Sequence, residues 1–249
     1  MEKKRIVLAT DLKMYYDIMK LVVKGWRTIY PEYTISLAII LNNEQPTLLY
    51  SINSIKFYMD EFEGMIDEIG LFPEVENIPI NNQIILAKYY MCSKYLEEDC
   101  IIGKSTIVPL SCINTTSFDT ENLTVNCFSI KGLTSILTQY LSTKGNLIKK
   151  IINPYDLFYI NYLNSFIDVE KKLFSEEILI EELLLEHEEI KIKCISDIFD
   201  STFITRIVEE EDLQKKRYSE IHFSLPIKYN KVKLIKEYLD NFKGESIIE

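Results

Sequence analysis

Apolar positions at the start of the chain alternate between short continuous runs and helical spacing. Residues 6–9 form an apolar run that ends at Thr10 and Asp11, which is typical of a buried strand. Apolar side chains then recur at helical spacing through residues 12–26, and Asp11 or Thr10 would cap this helix. Residues 34–41 form a second continuous run, like a strand covered on both faces. This strand–helix–strand order predicts a parallel α/β sheet.

The pattern continues over the next sixty positions or so. Residues 68–72 predict a short third strand that a proline closes. Asn81 or Asn82 would cap a helix that runs to about residue 96, and residues 99–103 predict the following strand. The first hundred residues therefore predict a β-α-β-α-β unit, in which a nucleotide binds beyond the carboxyl ends of the strands.

Two short polar segments follow strands of this predicted unit. Thr10 and Asp11 come directly after the first strand, and residues 104–106 come directly after the strand at 99–103. Because the carboxyl ends of parallel strands meet at one edge of a sheet, we expect both polar segments to lie at the nucleotide-binding edge.

The second half of the chain has a less regular pattern. It predicts helices at residues 155–167 and 176–188, a strand at 190–195 and a final amphipathic helix over residues 232–242. No internal repeat and no Pro/Gly/Ser-rich linker interrupts the chain. We therefore expect one domain over residues 1–249.

Composition excludes several functional classes. The chain has 249 residues, is 47% hydrophobic and carries a formal net charge of -10 without a basic stripe, so nucleic acid is not expected as a ligand. Its first apolar run is too short for a signal peptide, and no run approaches the ~20 apolar residues of a membrane helix. Five cysteines lack the spacing of a metal site, which favours reduced thiols and a cytoplasmic location.

Three separated segments, taken in order and spacing, carry a family resemblance. They are residues 6–11 with Tyr15, Tyr16 and Trp26; residues 70–73, 77–79, 83, 88–90 and 101–111; and residues 219–226 with Tyr229. Together they resemble glycosyltransferases of the GT-A type, in a group common in large DNA viruses and some microbes. The likeness covers most of residues 1–111 and the C-terminal end, while the middle is poorly matched.

The resemblance implies a fold and an activity. The fold is GT-A-like (Rossmann-like): a mixed, mostly parallel sheet flanked by helices, with a nucleotide-binding half at 1–111 and an acceptor-side half with the C-terminal helix at 112–249. The activity is transfer of a hexosyl unit from a nucleoside diphosphate sugar to a hydroxyl group of a glycan or protein acceptor.

The chain departs from the family at its metal motif. Lys104 and Thr106 stand where the family has the two aspartates of Asp-x-Asp, and Leu225 stands where an arginine is common. Mn²⁺ is typical of the family, but lysine has no acceptor atom for a cation, so no tightly held metal is expected. Lys104 would instead place its own charge on the diphosphate while Thr106 donates a hydroxyl bond. The alternative is that the motif has decayed and Lys104 is a solvated loop lysine.

The resemblance also assigns donor-binding roles. Thr10 and Asp11 would hold the base and ribose, Gln83 and Lys88 would line the donor pocket, and His222 would meet the phosphates. Each residue has a structural alternative: helix capping for Thr10 and Asp11, an exposed polar helix face for Gln83 and Lys88, and a structural or surface role for His222.

Glu176 and Glu177 are the candidate catalytic carboxylates. The family often has an acidic pair in this region, and an inverting transferase needs a base to remove the proton of the acceptor hydroxyl. The alternative is helix initiation, with Ser175 as the N-cap and acidic side chains in the first turn.

Two functional hypotheses follow. The first is a metal-independent glycosyltransferase. The second is a catalytically inactive relative that acts as a binding or assembly subunit, either as a homodimer or paired with an active transferase. A nucleotidyltransferase is less favoured, because the glycine-rich loop that would follow the first strand is absent.

Overall fold

The computed structural model describes much of the chain, with gaps. The described residues are 3–41, 52–109, 124–128, 137–166, 176, 179–180, 184, 186–194, 220–222 and 229–241. Within them the strands are β1 (Lys4–Asp11), β2 (Thr34–Leu41), β3 (Glu68–Pro73), β4 (Asp99–Gly103), β5 (Ile107–Pro109), β6 (Thr124–Phe128), β7 (Leu137–Lys144), β8 (Lys191–Cys194) and β9 (Glu220–His222). The helices are α1 (Leu12–Met14), a π-helical turn (Tyr15–Met19), α2 (Lys20–Ile29), α3 (Ile52–Glu61), α4 (Ile80–Cys92), α5 (Gly145–Ile152), α6 (Tyr159–Asn164) and α7 (Tyr229–Asn241).

Seven of these strands form one sheet in the order β3-β2-β1-β4-β7-β6-β8. Strands β3, β2, β1 and β4 are parallel, and β7 runs antiparallel to both β4 and β6. Strand β8 is parallel to β6, so β7 is the one strand of the described sheet that opposes the others. A mostly parallel sheet flanked by helices confirms the predicted fold class.

A hydrophobic core covers each face of the sheet. Ile6 and Leu8 of β1 pack with α2, α3 and α7, whereas Val7 and Ala9 pack with α4, α5 and α6. Because both faces are covered, β1 and β2 have continuous apolar sequences instead of alternating ones. The apolar runs of the sequence therefore correspond to the centre of the sheet.

Most predicted elements are present, with shifted ends. The strands expected at 34–41 and 99–103 have those bounds, whereas the helix expected to reach residue 96 ends at Cys92. The helix expected at 12–26 continues to Ile29 and contains a π-helical turn. The final helix starts at Tyr229, and the strand expected at 190–195 spans Lys191–Cys194.

The prediction of a helix over residues 155–167 is wrong at its start. This helix, α6, begins only at Tyr159, because the preceding residues form a turn around Asn153. Of the helix expected at 176–188, residues 176, 179, 180 and 184 are helical, residues 186–188 are not, and the other positions lie outside the described residues.

Within the described part of the chain, no helix is both long enough and apolar enough to cross a membrane.

Candidate functional site

The carboxyl ends of the parallel strands form the edge on which the predicted site lies. Asp11 of β1 is level with Ile40 of β2, and Ile40 is level with Phe72 of β3. Paired residues of parallel strands point to the same face, so these three form one row across the sheet. With strands about 4.8 Å apart, the row extends from Asp11 over roughly 10 Å.

Thr10 and Asp11 have local structural partners at this edge. Thr10 is fully buried, and its hydroxyl donates to the carbonyl oxygen of Asp11 over 3.0 Å. One carboxylate oxygen of Asp11 accepts the backbone N–H of Met14 over 2.8 Å, so Asp11 caps α1. The structure thus shows the capping role, and the contact with a nucleoside stays a prediction.

The turn that replaces the metal motif is attached to β1. The backbone N–H of Ile107 donates to the carbonyl of Lys104 over 3.2 Å, which closes the turn. The buried hydroxyl of Ser105 donates to the carbonyl of Ala9, the residue before Thr10. Lys104 and Thr106 are both half-buried. Residues 104–106 therefore lie next to the end of β1, as the sequence predicted.

The backbone of His222 lies next to this turn. Strands β5 and β9 form a separate antiparallel pair in which His222 is opposite Ile107, the residue that follows Thr106. The C-terminal motif and the Lys104 turn are therefore adjacent, although the side chain of His222 lies outside the described part of the chain.

Gly103 permits the close packing beneath the turn. A Cβ atom on this residue would lie 2.6 Å from Cζ2 of Trp26 and 2.9 Å from Cδ2 of Leu8. Such distances are shorter than any ordinary carbon contact, so only glycine fits at the end of β4 while Trp26 keeps its position. The sequence analysis missed this role, since the contact joins positions that are distant along the chain.

Gln83 is a structural residue in this fold. Its fully buried side chain accepts the N–H of Val75 over 2.9 Å and donates to the carbonyls of Val75 and Ile78 over 2.9 and 2.7 Å. These bonds hold the connection between β3 and α4 in place. The alternative of an exposed polar helix face is wrong for Gln83, and its contact with a donor stays a prediction.

Lys88 and Glu176 form a buried ion pair. The ammonium nitrogen of Lys88 is 2.5 Å from Oε1 of Glu176, and the hydroxyl of Tyr89 donates to the same oxygen over 2.8 Å. Only 4% and 5% of the two side chains are exposed, so the alternative of an exposed face is wrong for Lys88 too. The structure thus brings together one predicted donor-binding residue and one predicted catalytic carboxylate. Glu177 and Ser175 lie outside the described residues.

The side chains at the expected metal motif determine which kind of ion could bind there. Among the residues whose side chains are described, no three His, Cys, Asp or Glu residues come together as a cation site. At the place of the paired aspartates the chain offers the Lys104 ammonium and the Thr106 hydroxyl, a set that suits an anion better than Mg²⁺ or Mn²⁺.

No family model matches the chain, and no curated protein does. Solved structures do match. The glycosyltransferase GlyE of Streptococcus pneumoniae TIGR4 in its apo form aligns with a TM-score of 0.53 and 11% identity over 96% of this chain and 60% of GlyE. A second GlyE structure aligns with a TM-score of 0.52 and 11% identity over 100% of this chain and 66% of that one.

The chain shares the fold of these two GlyE structures. The sequence predicted this fold class. The structural likeness supports it from the course of the backbone, without using the sequence motifs. The chain spans less than two thirds of the length of the GlyE chains that it matches. At 11% identity the likeness concerns the fold, and the activity is argued below from this chain's own residues.

Proposed function

We propose that this protein binds a nucleoside diphosphate sugar at the carboxyl edge of β1 and β4 and transfers the sugar to a hydroxyl group of a glycan or protein. The observation that carries the proposal is the Ser105–Ala9 hydrogen bond, which attaches the Lys104 turn beside Thr10 and Asp11. In open α/β sheets this edge is where nucleotides bind. The glycosyltransferase fold supports the choice of ligand.

Lys104 supplies the positive charge for the diphosphate in this proposal. An ammonium group can act as a point charge on phosphate, and Thr106 can donate a hydroxyl bond to the same group. The half-buried position of both residues strengthens such a contact, since electrostatic attraction increases as water is excluded. Donor binding without a divalent cation follows from this arrangement.

The acidic pair at 176–177 is assigned to the acceptor side. The Oε1 atom of Glu176 already accepts bonds from Lys88 and Tyr89, and only 5% of the side chain is exposed, so it is poorly placed to reach an acceptor hydroxyl. We therefore favour Glu177 as the general base, with the Lys88–Glu176 pair fixing the position of the segment that carries it. In this proposal Lys88 lines the donor pocket, and its ion pair with Glu176 holds its side chain in place.

Donor binding is tested by the thermal stability of the protein with a panel of nucleoside diphosphate sugars, with and without Mn²⁺. A ligand that binds only the native state raises the melting temperature according to its concentration over Kd. We expect one donor to stabilise the protein equally well without metal. Lys104→Ala should abolish the shift, whereas Lys20→Ala, at an exposed ion pair with Glu63, should leave it unchanged.

A non-catalytic role is the second candidate, and the loss of both aspartates at positions 104 and 106 favours it. An inactive relative would show no stabilisation by any donor of the panel. Stabilisation that requires Mn²⁺ would contradict the role given to Lys104 while keeping the transferase assignment.

A further inference from the structure

Helix α2 contacts both ends of the Lys104 turn. Gly103, the residue before the turn, lies against the ring of Trp26. On the other side of the turn, β5 packs on the residue that precedes Trp26, because a Cβ atom on Gly25 would lie 2.5 Å from Cγ1 of Val108. Two consecutive residues of one helix therefore hold the strands that lead into and out of the turn.

Gly25 lies at a position where helix propensity alone would favour another residue. It is buried in the interior of α2, where glycine is less favourable than alanine. The space taken by β5 explains the glycine. Besides Val108, the ring atom Cδ and the carbonyl oxygen of Pro109 would each lie 3.3 Å from a Cβ atom at this position. A residue without a side chain lets the strand approach the helix this closely.

The contact between Val108 and the helix is stiff as well as close. Val108 is fully buried, and a packed β-branched side chain has little freedom at χ1. A third contact, the hydrogen bond from the hydroxyl of Ser105 to the carbonyl of Ala9, attaches the middle of the turn to β1. Because both ends are held by α2 and the middle by β1, the backbone that carries Lys104 is in place before any ligand binds.

We propose that α2 positions the Lys104 turn for the diphosphate of the donor, with Gly25 as the positioning residue. This rests on the proposed function, in which the turn contacts the diphosphate. Gly25 touches no ligand and acts through Val108 and β5. A turn that is held in place beforehand loses less entropy on binding. A misplacement of about 1 Å in such a site can reduce the effect of a functional group by about 100-fold.

A double-mutant cycle tests this role. Gly25→Ala adds the methyl group that β5 excludes, and Val108→Ala removes the methyl groups that it would meet. Two properties are measured for the wild type, both single variants and the double variant. The first is the fluorescence emission of Trp26, the one tryptophan of the chain, without ligand. The second is the Kd for inorganic pyrophosphate without divalent metal, since every nucleoside diphosphate sugar contains this group.

We expect Gly25→Ala to shift the emission of Trp26 and to raise the Kd at least about tenfold, because the turn moves with β5. In the double variant both properties should return to those of Val108→Ala alone, since the methyl group at position 25 then has room. A direct effect of that methyl group on the neighbouring Trp26 ring would persist in the double variant. Should Gly25→Ala not fold, Val108→Ala alone tests the contact and should raise the Kd by loosening β5.

Gly145→Ala is the matched control. A Cβ atom at this position would also meet packed atoms, among them the carbonyl carbon of Tyr95 at 2.7 Å. It lies at the other end of β4, where Asp99 is level with Lys144. This variant should lower the melting temperature and leave the emission of Trp26 and the Kd unchanged. Circular dichroism establishes that each variant is folded.

A Gly25→Ala variant with the emission and the Kd of the wild type would overturn the proposal. So would a double variant no better than Gly25→Ala, or an equal loss of affinity in Gly145→Ala. A wild-type protein that does not bind pyrophosphate would contradict the diphosphate contact, and with it the proposed function. The emission of Trp26 would then still decide whether Gly25 sets the position of the turn.

Discussion

At the scale of residues, the Lys88–Glu176 pair is the contact whose removal has the most direct consequence. Two opposite charges lie out of water, joined at 2.5 Å, with the Tyr89 hydroxyl as a further partner. A buried pair adds little stability relative to apolar side chains of the same size, but a single buried charge without its partner is costly. The cost arises because the remaining charge loses both water and its counter-ion.

Lys88→Met should therefore destabilise the protein by about 3–5 kcal/mol. Adding Glu176→Leu to this variant should restore much of the loss, because no charge then stays buried. Urea unfolding monitored by circular dichroism measures both effects. Lys150→Met, which breaks an exposed pair with Glu189, is the control and should change the free energy of unfolding very little. A double variant no more stable than the single one would contradict this account.

Tyr58 gives a prediction for alkaline pH. Burial, followed by the nearby Tyr16 and Glu61, raises the pKa of Tyr58 to about 12. The unfolded chain ionises this phenol near its ordinary pKa of about 10. A raised folded-state pKa favours the neutral form in the native state, so this contribution to stability is complete below about pH 10 and is lost as the pH rises towards 12.

The measurement is the free energy of unfolding of the wild-type protein and of Tyr58→Phe between about pH 8 and about pH 11. We expect the wild-type value to fall more steeply above pH 10 than that of the variant, since phenylalanine has no proton to lose. Parallel curves would show that Tyr58 does not contribute to the alkaline loss of stability.

At the scale of elements, the sequence predicted the centre of the fold better than its periphery. Strands β2 and β4 have continuous apolar sequences because both their faces are covered, and their bounds were predicted correctly. Strand β7 (LTQYLSTK) mixes polar and apolar residues, and its place is set by antiparallel pairing with β4 and β6. Helix α5 did carry a signal, since Leu147, Ile148, Ile151 and Ile152 follow helical spacing, and the sequence analysis missed it.

The junction of β7 and α5 depends on a glycine. A Cβ atom on Gly145 would lie 2.2 Å from the carbonyl oxygen of Tyr95 and 2.9 Å from that of Cys92. Because both contacts are to backbone atoms, no side-chain rotation can relieve them. The backbone N–H of Gly145 also donates to the carbonyl of Glu98 over 3.1 Å, which fixes the two segments together.

Gly145→Ala should destabilise the protein by about 1–3 kcal/mol or more through overpacking. Gly64→Ala is the comparison: this glycine has a φ of +81° but open space around its Cβ position, so the strain of the backbone alone should cost about 1 kcal/mol. Chemical denaturation of both variants separates the two effects. Equal losses would mean that the β7–α5 junction yields to accommodate the methyl group.

At the scale of the whole molecule, the sequence predicted which edge of the sheet carries the candidate site, but not the contacts that hold its residues in place. The carboxyl edge follows from the order of strands, which is a local pattern. The Ser105–Ala9 and Lys88–Glu176 contacts join residues 96 and 88 positions apart, and no local pattern encodes such pairs. Burial of Gln83 and Lys88 was missed for the same reason, because a polar residue on a helix usually indicates the exposed face.

The end of the sheet at β3 bears on how the protein resists aggregation. Among the described strands, β3 pairs only with β2, and its last residue is Pro73, which has no N–H to offer another strand. A terminal strand without such protection is a template for edge-to-edge growth into aggregates. At β3 the proline removes one of the N–H groups that a further strand would need, so another chain that added at this edge would lose a hydrogen bond at residue 73.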